Sequence, residues 1–323
     1  MGKLDPAGLL SAHAILAPPM QHFLALADFS RSDLESTLQT ALDLKAEWQR
    51  GGNRPVLQGK VLGMLFQKPS LRTRVSFDMA MRHLGGDALY LSPQEVGLGQ
   101  REAISDVSRV LSGYVDAIMA RVFSHAHILE LAQHASVPVI NGLSDYNHPC
   151  QGLADMLTVL ERFERLEGLN LTFIGDANNV AVSLLHACAI LGLNFTLASP
   201  EGYDLPPAAL SKAQKLAKGT AIRTLRDPHE AAGGAHVIYT DTWVSMGQEE
   251  ETQRRMKIFP PYQVNDHLLH HADPQAIVMH CLPAHRGQEI TDQVMDGPHS
   301  AVFQQAENRM HAQKAILLRL LVP

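Results

Sequence analysis

The sequence has few cysteines, few aromatic residues and no excess of positive charge. Its 323 residues include only three cysteines, which are widely spaced, so we expect no disulfide framework and a reducing compartment. Lys and Arg together number 27 against 33 for Asp and Glu, and no segment concentrates the basic residues. This balance argues against nucleic acid or an anionic membrane as a partner and leaves a small molecule as the expected ligand.

No apolar run in the sequence has the length of a membrane span. The most apolar stretch, residues 180–193, is too short and is interrupted by Ser183 and His186, so it predicts a buried helix. The first 30 residues contain one Lys and no Arg, which is unlike a secretory signal or an Arg-rich transit peptide. We therefore expect a cytoplasmic protein without a membrane partner.

The sequence also lacks the glycine-rich fingerprint of dinucleotide-binding enzymes. Residues 175–179 follow a predicted strand and begin a helix, but they contain one glycine, Gly175, where that fingerprint has three. A nucleotide-dependent oxidoreductase would have the same kind of fold and is disfavoured by this difference. Asn179 is then available to bind a small polar group at the helix N-terminus, and no cofactor is expected.

Histidine, in contrast, is abundant. There are 17 histidines, and they are densest at His125 and His127 and at residues 267–271. Neither place has the cysteines or carboxylates that would complete a zinc site at a recognisable spacing. The sequence therefore predicts solvated or core histidines and no metal site.

Short apolar runs rich in β-branched residues alternate with helical patterns along the chain. Strands are predicted at residues 61–66, 171–174, 195–198, 236–240 and 276–280, and a helix at 180–191 makes one βαβ unit. This alternation predicts an α/β protein with two doubly wound parallel-sheet domains.

An amphipathic helix marked by Leu153, Met156 and Leu157 is expected to carry the chain from one domain to the other. We expect residues 1–152 to form the first domain and residues 153–303 the second. A C-terminal helix at about residues 304–323 is too short to be a domain, so we expect it to pack back onto the first.

The segment Ser70-Leu71-Arg72-Thr73-Arg74 lies between the first predicted strand and its helix. Ser70 has the position of an N-cap, and the segment combines free backbone N–H groups, two hydroxyls and guanidinium groups. Such a combination holds a phosphate dianion without a metal. The alternative is an ordinary capped helix with surface arginines, and this segment alone does not decide between them.

Other polar residues follow predicted strands. Arg121 ends an apolar run at residues 115–120, Asp241 follows the strand at 236–240, and His280-Cys281-Leu282-Pro283 follows the last strand. Doubly wound sheets bind ligands beyond the carboxyl ends of their strands, so these residues are expected to meet at a site. His148, before the linking helix, has the chemistry to donate a hydrogen bond to an oxyanion, or it is a helix-start histidine without a role.

With these motifs the chain resembles the aspartate and ornithine carbamoyltransferases over residues 22–321. Residues 66–74 resemble the carbamoyl phosphate motif of that family, Ser-x-Arg-Thr, and His148-Pro149-Cys150-Gln151 resembles its second signature. Residues 241–247 and His280-Cys281-Leu282-Pro283 resemble the ornithine branch. Leu71 stands where the family commonly has Thr, and Gly97 stands where some members have a Gln that reaches a phosphate.

The resemblance implies a role for each matching residue. The group expected to hold carbamoyl phosphate is Ser70, Leu71, Arg72, Thr73, Arg121, His148, Gln151, Cys281, Leu282 and Arg309. The group expected to hold ornithine is Asn179, Asp241, Ser245 and Met246. The residues expected to act in catalysis are Arg72, Arg121, His148, Asp241 and Cys281. The resemblance also implies a site in the cleft between two domains and a homotrimer or a multiple of trimers.

The mechanism implied is direct attack of a neutral amine on the carbamoyl carbon. His148, Arg121 and Thr73 would stabilise the oxyanion, and Arg72 would help phosphate to leave. A free alkylamine has a pKa of about 10.4, so the site must desolvate or deprotonate it. Asp241, Cys281 and the leaving phosphate are the candidates for accepting that proton.

Two alternatives to an ornithine-using enzyme remain at the level of sequence. A relative that uses N-acylated ornithine or putrescine would have the same carbamoyl phosphate half and would differ around Asn179 and Asp241. A ligand sensor without catalytic activity would also use this fold. It is disfavoured because the sequence keeps both the phosphate residues and the amine residues.

Overall fold

The computed structural model describes residues 22–244 and 249–322 of the chain. Two five-stranded sheets form its framework, and every pair of neighbouring strands in them is parallel. The strands of the first sheet are β1 (His22–Phe23), β2 (Val61–Phe66), β3 (Asp87–Leu91), β4 (Ala117–Arg121) and β5 (Val139–Leu143). Those of the second are β6 (Asn170–Ile174), β7 (Asn194–Ala198), β8 (Ile222–Leu225), β9 (Val237–Thr240) and β10 (Ile277–His280).

Helices connect the strands and cover the sheets. In the first half of the chain they are α1 (Arg31–Gln49), α2 (Leu71–His83), α3 (Pro93–Val96), α4 (Ile104–Ser112) and α5 (His125–His134). The linking helix is α6 (Pro149–Phe163). The second half adds α7 (Asn179–Leu191), α8 (Pro207–Leu216), α9 (Pro228–Ala232), α10 (Thr252–Ile258), α11 (Asp266–Leu269), α12 (Asp292–Met295) and α13 (Val302–Leu321). Short 3₁₀ turns lie at Leu26–Asp28, Glu249–Glu251 and Pro260–Tyr262.

The strand order places one switch point in each sheet. The first sheet has the order β1-β5-β4-β2-β3 and the second the order β10-β9-β6-β7-β8. In the first, successive connections run outward from the adjacent pair β2 and β4, and in the second from the adjacent pair β6 and β9. A crevice forms beyond the carboxyl ends of such a pair, because the connections leave it in opposite directions.

Alternate residues of the strands face two different cores, as a sheet covered on both faces requires. In β2, Met64 packs in the core shared with α1, α2 and α6, whereas Leu65 packs in the core shared with α4 and α5. In β6, Phe173 faces the first of these cores and Ile174 faces a core that includes residues of α9, α11 and α12. The predicted fold class, two doubly wound parallel sheets, is therefore confirmed.

Helix α13 packs against α1, α2 and α6. It begins at Val302, slightly before the predicted start near residue 304. The start was misplaced because the N-cap, Ala301, has no capping side chain by which the sequence would mark it. No helix in the described ranges combines the length and the apolar character that a membrane crossing needs.

Candidate active site

A cleft of about 1530 Å³ lies where the carboxyl ends of strands from both sheets face each other. Its walls come mainly from the segments that follow β2, β4, β5, β6, β9 and β10, from the start of α6, from α10 and from one side chain of α13. Phe66 is paired with Arg121 at the end of the β2–β4 pair, and Ile174 with Thr240 at the end of the β6–β9 pair. Both switch points therefore open into this one cleft.

The N-terminus of α2 forms one end of the cleft. Ser70 is its N-cap and accepts a hydrogen bond from the backbone N–H of Thr73 at 3.3 Å. The side chain of Leu71 is apolar and exposed. The only polar group that this residue can present at the helix end is therefore in its backbone. The free N–H groups and the helix dipole make this end suited to an anion.

Three arginines surround the same end. Arg72 and Arg121 line the cleft, and Arg309 reaches it from α13, where its Nη2 donates to Thr73 Oγ1 at 2.9 Å. Burial, together with the like charges of Arg309 and Arg72, lowers the pKa of Arg121 to about 10. Burial likewise lowers the pKa of Arg309. Cations held this close together and out of water are stabilised by a bound dianion.

His148 and Gln151, from the first turn of α6, complete this pocket. The backbone N–H of His148 donates to Ser183 Oγ at 2.8 Å, which anchors the start of the helix. In the described chain His148 Nδ1, Gln151 Oε1 and the Nε atoms of Arg121 and Arg309 are buried without a hydrogen-bond partner. Burial and the neighbouring cations hold the pKa of His148 well below its usual range, so its ring is neutral at neutral pH.

The opposite end of the cleft carries a carboxylate. Asp241 follows β9 and accepts hydrogen bonds from Asn178 Nδ2 at 2.7 Å, from the backbone N–H of Thr242 at 2.8 Å and from Cys281 Sγ at 3.1 Å. These donors hold the carboxylate at the mouth of the β6–β9 switch point. A carboxylate so placed suits an ammonium group of a ligand.

The two asparagines at the start of α7 have different partners. Asn178 is the N-cap, and its Oδ1 accepts from the N–H groups of Val180 and Ala181, while its Nδ2 contacts Asp241. Asn179 donates from Nδ2 to the Ser144 carbonyl at 2.7 Å and also lines the cleft. Asn178 was not predicted as a site residue, although its contact with Asp241 makes it the closer of the two to the carboxylate.

The segment after β10 brings a thiol to the cleft. Burial of the sulfur and the facing Asp241 carboxylate raise the pKa of the Cys281 thiol well above its usual range. His280 Nδ1 accepts the Leu282 N–H at 2.9 Å, and its Nε2 lies 3.2 Å from Glu289 Oε1. Both ring nitrogens are thus engaged away from the sulfur. Donor atoms of Asp241, His280 and Cys281 lie within 4.8 Å of one another, but this set offers no free imidazole nitrogen to a metal.

A buried carboxyl group lies behind the pocket. Asp155 Oδ1 accepts from Gln151 Nε2 and Gln305 Nε2, both at 2.8 Å, and its Oδ2 accepts from the Tyr239 hydroxyl at 3.2 Å. Burial raises the pKa of Asp155 to about 7, despite these three donors. Gln305 Oε1 in turn accepts the His280 N–H at 2.9 Å. The network joins α6, β9, β10 and α13 directly behind the cleft.

The structure brings most of the predicted site residues together. Those that line the cleft are Ser70, Leu71, Arg72, Arg121, His148, Gln151, Asn179, Asp241, Cys281, Leu282 and Arg309. Thr73 is buried beside them, in contact with Ser70 and Arg309. Ser245 and Met246 lie outside the described residues. Lys68, whose Nζ is 5.1 Å from the centre of the Phe123 ring, also lines the cleft and was not predicted, although it stands two residues before the phosphate motif.

Gly97, which stands where the resemblance leads to Gln, has a structural role. It has φ +52° and ends α3 in the left-handed conformation. A Cβ there would meet Arg101 Cβ at 2.8 Å. A larger residue is therefore strained at this position, and in the described chain none of residues 94–101 lines the cleft.

The two ends of the cleft have complementary chemistry. One end gathers cations, N–H groups and a neutral histidine, whereas the other presents a carboxylate, amides and a protonated thiol. The arrangement suits a reaction in which an anionic, oxygen-rich substrate meets an amine, with hydrogen-bond donors directed at a developing oxyanion.

Comparison with known protein families matches nearly the whole described chain. Residues 21–161 match the model "Aspartate/ornithine carbamoyltransferase, carbamoyl-P binding domain". Residues 167–320 match the model "Aspartate/ornithine carbamoyltransferase, Asp/Orn binding domain". The gap between the two matches falls at the end of α6 and just beyond it.

Individual relatives agree with these models. The chain is 53% identical over 296 residues to an ornithine carbamoyltransferase of Thermococcus kodakarensis, covering 91% of this chain and 94% of the relative. The solved ornithine carbamoyltransferase of Pyrococcus furiosus superimposes with a TM-score of 0.91 at 50% identity, covering 93% and 97% of the two chains. A solved acetylornithine transcarbamylase, complexed with acetylcitrulline, has a TM-score of 0.85 at 30% identity, covering 94% and 100%.

Proposed function

The chain belongs to the aspartate/ornithine carbamoyltransferase family, and we propose how its residues carry out the reaction that it catalyses. That reaction is transfer of the carbamoyl group of carbamoyl phosphate to the δ-amine of L-ornithine, which gives L-citrulline and phosphate. The observation that carries the proposal is that the cationic end and the carboxylate end face each other across one cleft.

Carbamoyl phosphate binds at the cationic end. The phosphate dianion takes hydrogen bonds from the N-terminus of α2, from Ser70 and from Arg72, and the buried charge of Arg309 adds to its binding. Leu71 contributes its backbone N–H. The pairing is strong because the cations are already gathered and partly desolvated, so little reorganisation accompanies binding.

The carbamoyl oxygen is directed to Arg121, His148 and Thr73. A neutral His148 is suited to this task because its N–H donates a hydrogen bond without adding a fourth charge to the three arginines. Gln151 holds the carbamoyl amide, since its Oε1 is a buried acceptor without a partner in the chain. As the amine attacks, charge builds on the carbamoyl oxygen, where these donors stabilise it.

Ornithine binds at the other end, with its amino acid head towards Asp241 and Asn179. Ser245 and Met246, which follow in the same segment, are proposed to complete this half of the site. Cys281 stays a protonated thiol beside Asp241 and contributes to the polar wall near the δ-amine. Aspartate is excluded because its second carboxylate would meet Asp241 with like charge.

The reaction forms one C–N bond and breaks one C–O bond. The δ-ammonium first releases one proton to solvent as the amine is desolvated in the cleft. The neutral δ-amine then attacks the carbamoyl carbon, the tetrahedral intermediate collapses, and phosphate leaves with the electron pair of the broken bond. The proton lost by the nitrogen passes to the leaving phosphate. Arg72 stabilises the charge that develops on the leaving oxygen, and no cofactor takes part.

An assay of citrulline and phosphate formation tests the proposed substrate. Carbamoyl phosphate is offered with ornithine, N-acetylornithine, putrescine or aspartate as acceptor. We expect ornithine to have the highest kcat/KM by orders of magnitude, because acylation removes the ammonium charge that Asp241 pairs, and putrescine lacks the carboxylate through which the amino acid head is oriented. Equal turnover of N-acetylornithine would reassign the second substrate and leave the carbamoyl phosphate half intact.

The same proposal includes a trimer, or a multiple of trimers. Its support is a group of apolar side chains exposed on the first half of the chain. Leu71 and Val75 lie one turn apart on α2, and Leu89 lies on the edge strand β3 that packs beside this helix. Light scattering during size-exclusion chromatography should give three chain masses or a multiple of three.

We further propose a division of the chain after residue 152 and a location in the cytoplasm. The gap between the two family matches, at residues 162–166, supports a boundary near helix α6. The location is supported by the free thiols of Cys150, Cys188 and Cys281, since a chain of this kind without disulfides fits a reducing compartment. Fractionation of cells that produce the protein tests the location.

A further inference from the structure

Three histidines that are distant in sequence meet on the second half of the molecule. His229 lies in α9, His267 in α11 and His271 just after α11, and these two helices pack together. One nitrogen of each ring lies within 4.8 Å of the other two. The ring centres are 4.9, 5.1 and 5.7 Å apart, and the rings meet edge to face. None of the three lines the catalytic cleft.

We propose that these residues, the His229–His267–His271 cluster, bind a divalent transition-metal ion such as Zn²⁺ or Ni²⁺. His267 and His271 are four residues apart and lie on one side of a helical turn, which is the spacing at which two imidazoles reach one ion. His229 supplies the third nitrogen from the neighbouring helix. Three neutral imidazoles without thiolate or carboxylate favour zinc, nickel and copper over calcium or magnesium.

The ring nitrogens of the cluster are not used in other hydrogen bonds. His229 Nδ1 is buried and has no partner in the described chain. No hydrogen bond to a ring atom of His267 or His271 is present among the described residues. The adjacent His270 differs, because its Nδ1 lies 2.6 Å from the Asp266 carbonyl and is occupied by that contact. Each ring of the cluster therefore offers one nitrogen to an ion, whereas in His270 one of the two ring nitrogens is already occupied.

The dimensions of the cluster fit an ion after small side-chain movements. In a tetrahedral site with Zn–N distances of about 2.0–2.1 Å, the ligand nitrogens are about 3.3 Å apart. The three nitrogens now lie within 4.8 Å of one another, so the rings must approach by about 1.5 Å at most to bind the ion. His267 and His271 are exposed, so their side chains are free to rotate and the fourth coordination position is open to water.

An ion at this place would join the segment before β9 to the segment before β10. These neighbouring strands carry Asp241 and Cys281 at their other ends. We therefore expect the ion to stabilise the second half of the molecule, because a ligand that binds only the folded state raises its stability by mass action. The sequence alone did not reveal the site, since His229 is far from the other two in the chain.

The test is metal titration of the purified chain without an affinity tag, with binding followed by calorimetry. Cys281→Ser serves as the reference background, so that the thiol in the cleft cannot take up the ion. In this background His267→Ala and His271→Ala each remove one ligand at an exposed position. His270→Ala is the matched control, since it removes a neighbouring histidine that is outside the cluster.

We expect one Zn²⁺ per chain in the reference and in His270→Ala. Each cluster variant should bind more than about 100-fold more weakly, since even the outer partners of metal ligands contribute 10- to 100-fold. Zn²⁺ should raise the melting temperature of the first two proteins and leave it unchanged in the cluster variants. Bound Cu²⁺ should show coupling to imidazole nitrogens in its electron paramagnetic resonance spectrum.

Two results would overturn the proposal. One is the same affinity for Zn²⁺ in the reference and in both cluster variants, which would place the ion elsewhere. The other is no saturable binding of Zn²⁺ or Ni²⁺ by the reference, which would leave the cluster as a set of ring contacts. Circular dichroism of each variant confirms that the fold is kept.

Discussion

The Cys281 thiol donates a hydrogen bond to Asp241 Oδ1 across 3.1 Å, so a single proton lies between the sulfur and the carboxylate at the amine end of the cleft. His280, the next residue, is turned away: its Nδ1 accepts the Leu282 N–H, which leaves the Nε2 proton directed at Glu289. Cys281 and His280 thus lack the sulfur–imidazole contact of a thiol enzyme.

Cys281→Ser should keep measurable turnover. The serine hydroxyl can still donate to Asp241, but oxygen is smaller than sulfur and reaches less far across this contact. We therefore expect KM for ornithine to rise by at most about 2- to 13-fold, the 0.5–1.5 kcal/mol that loss of the whole hydrogen bond would cost. Initial-rate kinetics should be sequential, with intersecting double-reciprocal lines. Parallel lines, or a carbamoylated Cys281 found by mass spectrometry without ornithine present, would show that the thiol is a covalent nucleophile after all.

Arg72→Ala should weaken binding of carbamoyl phosphate. Loss of a charged partner of the phosphate is expected to cost about 2–4 kcal/mol, or about 30- to 700-fold in Kd, measured by calorimetry. Arg74→Ala is the matched control. Its guanidinium lies 4.0 Å from the centre of the Tyr90 ring and outside the cleft, so the affinity should not change. Equal effects of the two substitutions would count against an anion site at Ser70–Arg72.

Asp241→Asn should act mainly on ornithine. Asp241 accepts three hydrogen bonds, and an amide at this position removes the charge and keeps only one acceptor oxygen. We expect kcat/KM for ornithine to fall by about 30- to 700-fold, corresponding to about 2–4 kcal/mol, while the Kd for carbamoyl phosphate changes little. A loss of carbamoyl phosphate affinity of the same size would mean that Asp241 supports the whole cleft rather than one substrate.

Asp155→Asn should change how stability depends on pH. The folded-state pKa of about 7 lies above the unfolded value of about 3.9, so the folded chain binds the extra proton between these values. The contribution of this group to stability is therefore complete below about pH 4 and declines as the pH rises through about 7. Asparagine can keep the contacts with Gln151 and Gln305 at its oxygen and does not ionise.

We expect the stability of Asp155→Asn relative to the natural sequence to increase by about 2–3 kcal/mol between pH 5 and pH 8, at 1.36 kcal/mol per pH unit over the titrating range. Urea unfolding at fixed protein concentration measures it. Asp106→Asn, at an exposed surface position, is the control. Stability curves that stay parallel for Asp155→Asn and the natural sequence would refute an ionisable Asp155.

The elements that the sequence predicts well are those whose apolar pattern indicates whether they are buried. Strand β2 has the predicted bounds because it is an uninterrupted apolar run that ends at a capped helix. The edge strands β3 and β8 were not predicted. All of their residues are partly or fully exposed, so neither a continuous apolar run nor a clear alternation marks them.

Site residues were predicted where they belong to a recognisable sequence motif. They were missed where their role depends on a tertiary contact. Ser70 and Asp241 follow strands and could be chosen from the sequence. Whether Asn178 or Asn179 turns to Asp241 depends on the residue at which α7 begins, and sequence patterns do not resolve one position. The Asp155 network joins α6, β9, β10 and α13, which are distant in the chain, so it leaves no local pattern.

The contact between Arg309 and Thr73 also bears on the order in which the protein is made. The two residues are 236 positions apart in the chain. The ribosome therefore releases the segment Ser70–Arg74 long before it has synthesised Arg309, which contacts Thr73 in the folded chain. Loop closure over such a distance is slow, so we expect the first half to fold early and to reach its full anion affinity only when α13 docks. A nascent chain that stops before Arg309 would be folded in part and without full affinity for its first substrate.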